Sequence, residues 1–266
     1  GLSDVAAIGI GGQQHGMVCL DAAGEVVRPA LLWNDTRSAA AASDLTAELG
    51  ANDWAMAVGS VPVAAFTVSK LRWLARHEPE SLARTAAVCL PHDWLTWKLR
   101  GMGLESLTTD RGDASGTGYW SAATDEYRLD LVELATGRSD LMLPTVLPAD
   151  SLAGKTIDTG AVPAGLAVSA GTGDNMAAAL GLRASVGDVV MSVGTSGVVS
   201  AVSATPTADA SGQVAGFADA TGEFLPLVCT LNAGQVLHTV RNLLGMDFET
   251  FDEHAATPKP AEDSLT

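Results

Sequence analysis

The sequence predicts a mixed α/β fold in two domains, on three observations. Short apolar runs bounded by Gly, Asn and Asp read as strands. Segments with helical spacing stop at Gly or Pro. At two places apolar runs are separated by a few turn residues, which reads as hairpins set beside helices, unlike a strictly alternating βαβ series. At 266 residues, 47% of them hydrophobic, the chain can bury the core of one large domain or two modest ones.

The opening "DVAAIGIGGQQHGMVCLDAAGEVV" reads as strand, glycine-rich turn, strand, tight turn at Asp21–Gly24, strand. Residues 36–49 form a helix closed by Gly50. In "TVSKLRWLARHEP", Thr67 caps a helix, Leu71 and Leu74 share one face, and Pro79 lies just past the end. "AAVCL" (86–90) is a buried strand, and a helix follows from Pro91 to its stop at Gly101. Residues 103–126, rich in Gly, Ser, Thr and Asp, form a loop-rich stretch. Pro144, Pro148 and Pro163 among turn residues place a domain junction near 160, which divides the chain into 1–162 and 163–266. Beyond it come the strand "LAVSAG", a helix from 175, a hairpin "DVVMSV"/"VVSAV" turning at Gly194–Gly197, and a second hairpin in "GFADATGEFLPLVC". A helix ending at Gly245 and a polar tail from 252 complete the chain.

The charge balance excludes one class of partner. With 15 basic against 31 acidic residues the net charge is −16, and no basic patch marks a nucleic-acid binder. An anionic substrate would rely on backbone amides, helix N-termini and a metal ion. Cys19, Cys89 and Cys229 are widely spaced and odd in number, which speaks against a disulfide framework or structural zinc site and for reduced thiols in a cytoplasmic protein. No apolar run is long enough to span a membrane, and no signal peptide is visible.

Several motifs fail on inspection. "AGKT" (153–156) lacks the glycine that a phosphate-binding P-loop needs at position 149, which is Ala149. The glycines at 9, 11, 171 and 173 complete no dinucleotide-binding fingerprint. "RGD" at 111–113 is ordinary loop chemistry.

Three stretches carry more. In "GTGDNMAAALG", Asp174 stands where a strand ends and a helix begins. It can serve as a helix cap. Alternatively, the glycines at 171 and 173 leave room for a ligand, Asn175 adds a donor and acceptor, and the carboxylate takes a proton from a hydroxyl. In "MSVGTSGVVS" the hairpin tip offers successive amides and the hydroxyls of Thr195 and Ser196, a nest for phosphate oxygens. In "GGQQHGM" and "LLWNDTR", Gln14 and His15 sit in a turn between strands and Trp33, Asn34, Asp35 and Arg37 precede a helix; grouped, they give an aromatic plane with polar groups, a suitable lining for a sugar. Each polar residue here also has a purely structural reading as turn or cap.

Together, "GQQHGM…LLWNDTRS", "KLRWL", "CLPHDWLTWKLRG…LTTDRGDASGTGYW", "SAGTGDNMAAALG" and "SVGTSG" resemble the FGGY carbohydrate kinases. The resemblance implies an actin-like, ribonuclease-H-like fold of two domains, here a sugar-binding part over 1–162 and the start of an ATP-binding part over 163–266. It implies transfer of the ATP γ-phosphate, with Mg²⁺, to a sugar hydroxyl, with D-xylulose as the favoured pentulose and ribulose, glycerol or another polyol as alternatives. Asp174 matches the catalytic base. Gln14, His15 and Asn175 match sugar-holding positions, and Trp33 and Asp35 match nearby lining positions. Gly194, Thr195 and Ser196 match a phosphate loop, and the metal ligands are left unassigned.

The family pattern also includes an N-terminal Asp-Gly-Thr phosphate loop and a C-terminal glycine-rich adenosine loop. Neither is in this sequence, so the fold is expected to be incomplete at both termini. An exposed edge strand would then lower stability and favour self-association, a homodimer among the outcomes. A non-catalytic sugar-binding protein is the rival expectation.

Overall fold

A computed structural model describes residues 4–101, 103–230 and 232–256. In chain order the elements begin with β1 (Ala7–Ile8), β2 (Gly11–Gly12), β3 (Val18–Leu20), α1 (Ala39–Leu49), α2 (Ala51–Val58), α3 (Thr67–His77) and α4 (Pro79–Arg84). There follow β4 (Ala87–Cys89), α5 (Pro91–Arg100), β5 (Thr108–Asp110), α6 (Arg111–Ser115), β6 (Trp120–Ser121), β7 (Glu126–Tyr127), α7 (Leu129–Thr136), β8 (Thr145–Leu147) and β9 (Leu152–Lys155). The remainder comprises β10 (Ala167–Ser169), β11 (Thr172–Gly173), α8 (Asp174–Gly181), β12 (Val189–Val193), β13 (Gly197–Ala201), β14 (Ala215–Ala218), β15 (Phe224–Thr230), α9 (Gly234–Leu243) and α10 (Phe248–Ala256).

The chain forms two compact units. The first comprises Gly1–Val189 with Ser200–Leu227, and the second comprises Val190–Val199 with the chain from Val228 on. The division expected at 162/163 falls inside the first unit, in the connection between β9 and β10, and those two strands pair with each other.

In the first unit the chain's opening is stitched to a much later segment. β1 pairs in parallel with β10, and β2 in parallel with β11, matching Gly11 to Thr172 and Gly12 to Gly173. β3 lies antiparallel to β4, and all six of their residues are buried, as an unbroken apolar run requires. Val18, Leu20, Ala87, Cys89, Trp97 and Leu107 form a core cluster around that pair. A second cluster joins Ala114 and Trp120 to Ala122 and Ala218. Ser115 ties it together, donating to the Gly112 carbonyl and accepting from the Ala218 N–H. In the second unit the 190–193 and 197–199 runs form the expected hairpin arms, and α9 and α10 follow.

Several local expectations change. The third strand of the opening meander is reduced to a single bridge, Leu20 to Val26. Gly50 ends α1 but also starts α2, which the glycine stop had hidden. Phe66, not Thr67, caps α3, and the Thr67 hydroxyl instead donates to the His15 carbonyl. Pro79 opens α4 as its first residue. The stretch expected to be loop-rich holds β5, α6 and β6, and "RGD" lies in buried α6. "AGKT" runs through β9, so it makes no phosphate loop. The tail from 252 is helical as far as Ala256, and the rest of it lies outside the described residues. Cys19 and Cys89 are buried free thiols and Cys229 is an exposed one. Among the described residues no helix is long and apolar enough to cross a membrane.

Candidate functional site

The site in the first unit begins with the turn after β2. Gln14 is buried, and its side-chain amide donates to the Gly112 carbonyl at 3.0 Å. That bond fixes which way the amide points. His15 follows with φ of 68°, a left-handed backbone that costs a side chain about 1–2 kcal/mol. The ring is held between Phe66 and Phe217, at centroid distances of 4.9 and 5.6 Å, and its Nδ1 lies 2.6 Å from the Gly116 carbonyl. Nδ1 therefore carries the proton of the neutral ring, which leaves Nε2 as an acceptor. Burial drives the His15 pKa down to about 4, the bond to Gly116 opposing and the Lys70 charge adding to the fall.

That shift has a consequence for stability. The folded ring resists protonation that the unfolded ring accepts at its ordinary value of 6.5, so the unfolded state binds more protons between pH 6.5 and about 4. Stability contributed by neutral His15 is present above 6.5 and is lost as the pH falls through that window. His15→Gln should therefore flatten the acid limb of a plot of urea midpoint against pH. An unchanged slope would show that the ring is not held neutral.

Asp174 stands at the other side of the β2–β11 pair. Gly173 is the helix cap and Asp174 is the first residue of α8. Its side chain is exposed and accepts from the Asn175 backbone N–H at 2.8 Å and from the Asn175 side-chain amide at 3.0 Å. Partial desolvation raises its pKa, and the bonds from Asn175 oppose the rise. A raised carboxylate pKa is a stronger proton acceptor. A Cβ added at Gly173 would lie 2.9 Å from Gln14 Cγ, so the segment carrying Asp174 packs directly on Gln14.

Trp33 and Asp35 are less tightly bound to this arrangement. Trp33 is exposed on the loop after Leu31, which pairs with Met17. The Asp35 carboxylate accepts from the backbone and guanidinium of Arg37, and these bonds hold its pKa low. The buried Lys70 donates to the carbonyls of Ala64 and Ala65, and its charge acts on both Asp35 and His15. Burial lowers the Lys70 pKa to about 8.

Beneath Gln14 and the 171–174 segment lies a polar group that the sequence reading passed over. His92, Asp93, Asp110 and Asp113 are all buried. Asp110 caps α6, accepting from the N–H groups of Gly112 and Asp113. Burial raises its pKa to about 6 against the pull of His92. Asp113 is also raised, by burial, with the Asp110 charge adding to the rise. His92 Nδ1 lies 2.9 Å from Asp93 and 3.0 Å from Asp113, and Nε2 lies 2.9 Å from the Ala170 carbonyl. Burial works against charge on this ring, but the hydrogen bonds to Asp113 and Asp93 outweigh it and raise the pKa well above the usual value. Asp110 three residues before Asp113 has the spacing of a helix start and could have flagged α6.

His92, Asp110 and Asp113 offer metal-type ligand atoms within 4.8 Å of one another. Nδ1 of His92 is in direct hydrogen-bonding distance of the Asp93 and Asp113 carboxyls, which leaves no space for a cation between them, and Mg²⁺ is held by oxygens and waters rather than imidazole. These residues do not fit a Mg²⁺ site.

In the second unit the tip of the hairpin is closed by the Gly194 N–H donating to the Ser196 carbonyl. It is anchored by the start of α9, where Ala233 and Gly234 donate to the carbonyls of Thr195 and Gly194. A Cβ on Gly234 would come within 2.5 Å of the Gly194 oxygen, so only glycine fits there. Thr195 is exposed and Ser196 half-buried, which leaves the hydroxyls at the tip. Such a donor set suits phosphate oxygens.

Residues 1–181 match the N-terminal domain of the FGGY family of carbohydrate kinases. The chain is 51% identical over 261 residues to a xylulose kinase of Streptomyces rubiginosus, covering 97% of this chain and 53% of that protein. The crystal structure of xylulose kinase from Bifidobacterium adolescentis shares 43% identity and superposes with a TM-score of 0.91, over 98% of this chain and 59% of that one. A glycerol kinase of Plasmodium falciparum, 18% identical, shares the fold with a TM-score of 0.78, over 92% of this chain and 50% of that one. The chain spans about half the length of the curated relatives it matches.

Proposed function

Since the chain belongs to the FGGY family of carbohydrate kinases, with their actin-like sugar-kinase fold, we propose that it serves the ATP-dependent phosphorylation of a pentulose, D-xylulose to D-xylulose 5-phosphate. The observation that carries this reading is the packing of Gly173, the residue before Asp174, on Gln14 across the β2–β11 pair. It brings a proton acceptor beside hydrogen-bonding groups suited to a polyol.

Each residue then has a task. Gln14, its amide direction fixed by Gly112, and His15, its Nε2 an acceptor, hold sugar hydroxyls. Asn175 holds the Asp174 carboxylate and adds a donor to the sugar. Trp33 and Asp35 line the approach. Asp174 accepts the proton of the attacking hydroxyl. In phosphoryl transfer such positioning and proton acceptance are most of what the protein supplies. Gly194, Thr195 and Ser196 hold phosphate oxygens of ATP, which supplies the transferred group. The described residues assign no ligand to Mg²⁺. A cytoplasmic setting and a homodimer complete the reading.

Titration calorimetry with D-xylulose, and an ADP-release assay with D-xylulose and Mg·ATP, test the proposal. Saturable sugar binding and ADP release that depends on D-xylulose are expected. Preference for ribulose or glycerol would move the substrate within the family. Sugar binding with no nucleotide binding at millimolar ATP would overturn the kinase reading in favour of a sugar-binding protein.

A further inference from the structure

The buried His92 does not face the substrate residues, yet it touches the scaffold of each. Its Nε2 meets the carbonyl of Ala170, the residue that enters the turn leading to Asp174. Its Nδ1 meets Asp113 on α6, the helix whose Gly112 carbonyl orients Gln14. The surrounding glycines show how closely the ring is seated. A Cβ at Gly171 would lie 2.0 Å from Nε2, and one at Gly12 would lie 2.8 Å from His92 Cβ. Gly12 lies in the β2–β11 pair and Gly171 just before it.

The contacts also bear on the charge of the ring: the Ala170 carbonyl can only accept, so Nε2 carries a proton, and Nδ1 faces the Asp93 and Asp113 carboxyls. A neutral imidazole donates from one nitrogen only, and the lone pair on the other would then face an oxygen. Here both nitrogens face oxygens. The charged groups around it are Asp93 on its own helix, Asp113 on α6 and Asp110, the last residue of β5 and the cap of α6. Two of these carboxyls reach Nδ1, and the third is held by the α6 amides.

We infer that His92 is a positioning residue for Asp174. As an imidazolium it clamps the Ala170 carbonyl to the Asp93 and Asp113 carboxyls, and so sets the turn from which Asp174 projects. The inference rests on reading Asp174 as the base, but the clamp itself is a property of the structure alone.

The test uses His92→Gln and Asp113→Asn in the full protein. Gln keeps one amide donor without charge, and Asn keeps the shape of Asp113 while removing its carboxylate. A shift of the base by about 1 Å costs on the order of a hundredfold. Both variants should therefore lower kcat by about ten- to a hundredfold while the KM for D-xylulose stays within a few-fold, because Gln14 keeps its own bond to Gly112. Nitrogen-15 NMR of the wild type should show one histidine with protons on both nitrogens at neutral pH. Amide exchange at 171–175 should speed up in His92→Gln.

An unchanged kcat in folded variants would overturn the inference, as would a His92 with a single ring proton. Loss of kcat and sugar affinity together would reduce His92 to a general structural role. If the wild type shows no transfer at all, the kinase reading fails. The NMR and exchange measurements then still decide the clamp, and unchanged exchange at 171–175 refutes it. If His92→Gln does not fold, Asp113→Asn and the wild-type spectrum carry the decision.

Discussion

Asp174→Asn should reduce turnover of D-xylulose by about 10²–10⁴-fold while sugar affinity changes no more than a few-fold. The substitution keeps an oxygen that can accept from the Asn175 N–H, so the local bonding at the start of α8 survives. What it removes is the ability to take a proton. Because Asp174 is exposed and its neighbour donates both a backbone and a side-chain N–H, the variant has no buried charge to leave unpaired. Measured kcat and calorimetric affinity separate the two effects. Near-normal turnover in this variant would show that another group is the base.

Gly171→Ala should destabilise the first unit by about 2–5 kcal/mol, from a left-handed backbone and an overpacked contact acting together. Gly171 has φ of 80°, and the added Cβ would sit 2.0 Å from His92 Nε2 and 2.7 Å from the Ile10 carbonyl. That carbonyl already accepts from the Thr172 N–H, so moving it disturbs the β2–β11 pair. Gly165→Ala is the control. Its φ is 93° but no atom lies within 4 Å of the new Cβ, so it reports the backbone cost alone. Urea midpoints for both variants give the difference. Equal losses would mean that His92 gives way without cost, and the tight seat described for it would be wrong.

The elements that sequence reading located share one property: their signals are local. "AAVCL" is an uninterrupted apolar run and became buried β4. The strand-to-helix boundary at 173–174 followed from glycines before a run of small helix formers. The hairpin turn at 194–197 is written in its own four residues. The polar stretch from 103 to 126 misled because composition favours a loop there. Its burial comes from partners far along the chain: Gln14 bonds to Gly112, and Ala218 to Ser115, about a hundred residues away. His92 was invisible for the same reason, since Ala170 lies 78 positions on. Candidate residues that match motifs are legible in the sequence. The residues that hold them in place are not, because a buried ion pair leaves no periodic trace in sequence.

The parallel pairing of Gly11–Gly12 with Thr172–Gly173 has a consequence for synthesis in the cell. The two strands are about 160 residues apart, which at roughly 5–20 residues per second separates their emergence from the ribosome by about 10–30 s. Throughout that interval the newborn chain carries Gln14 and His15 with no partner strand. The strand that leads to Asp174 thus reaches Gly11–Gly12 only after most of the first unit has been made, and slowing translation before codon 172 should lengthen the time for which chaperones can hold the nascent chain.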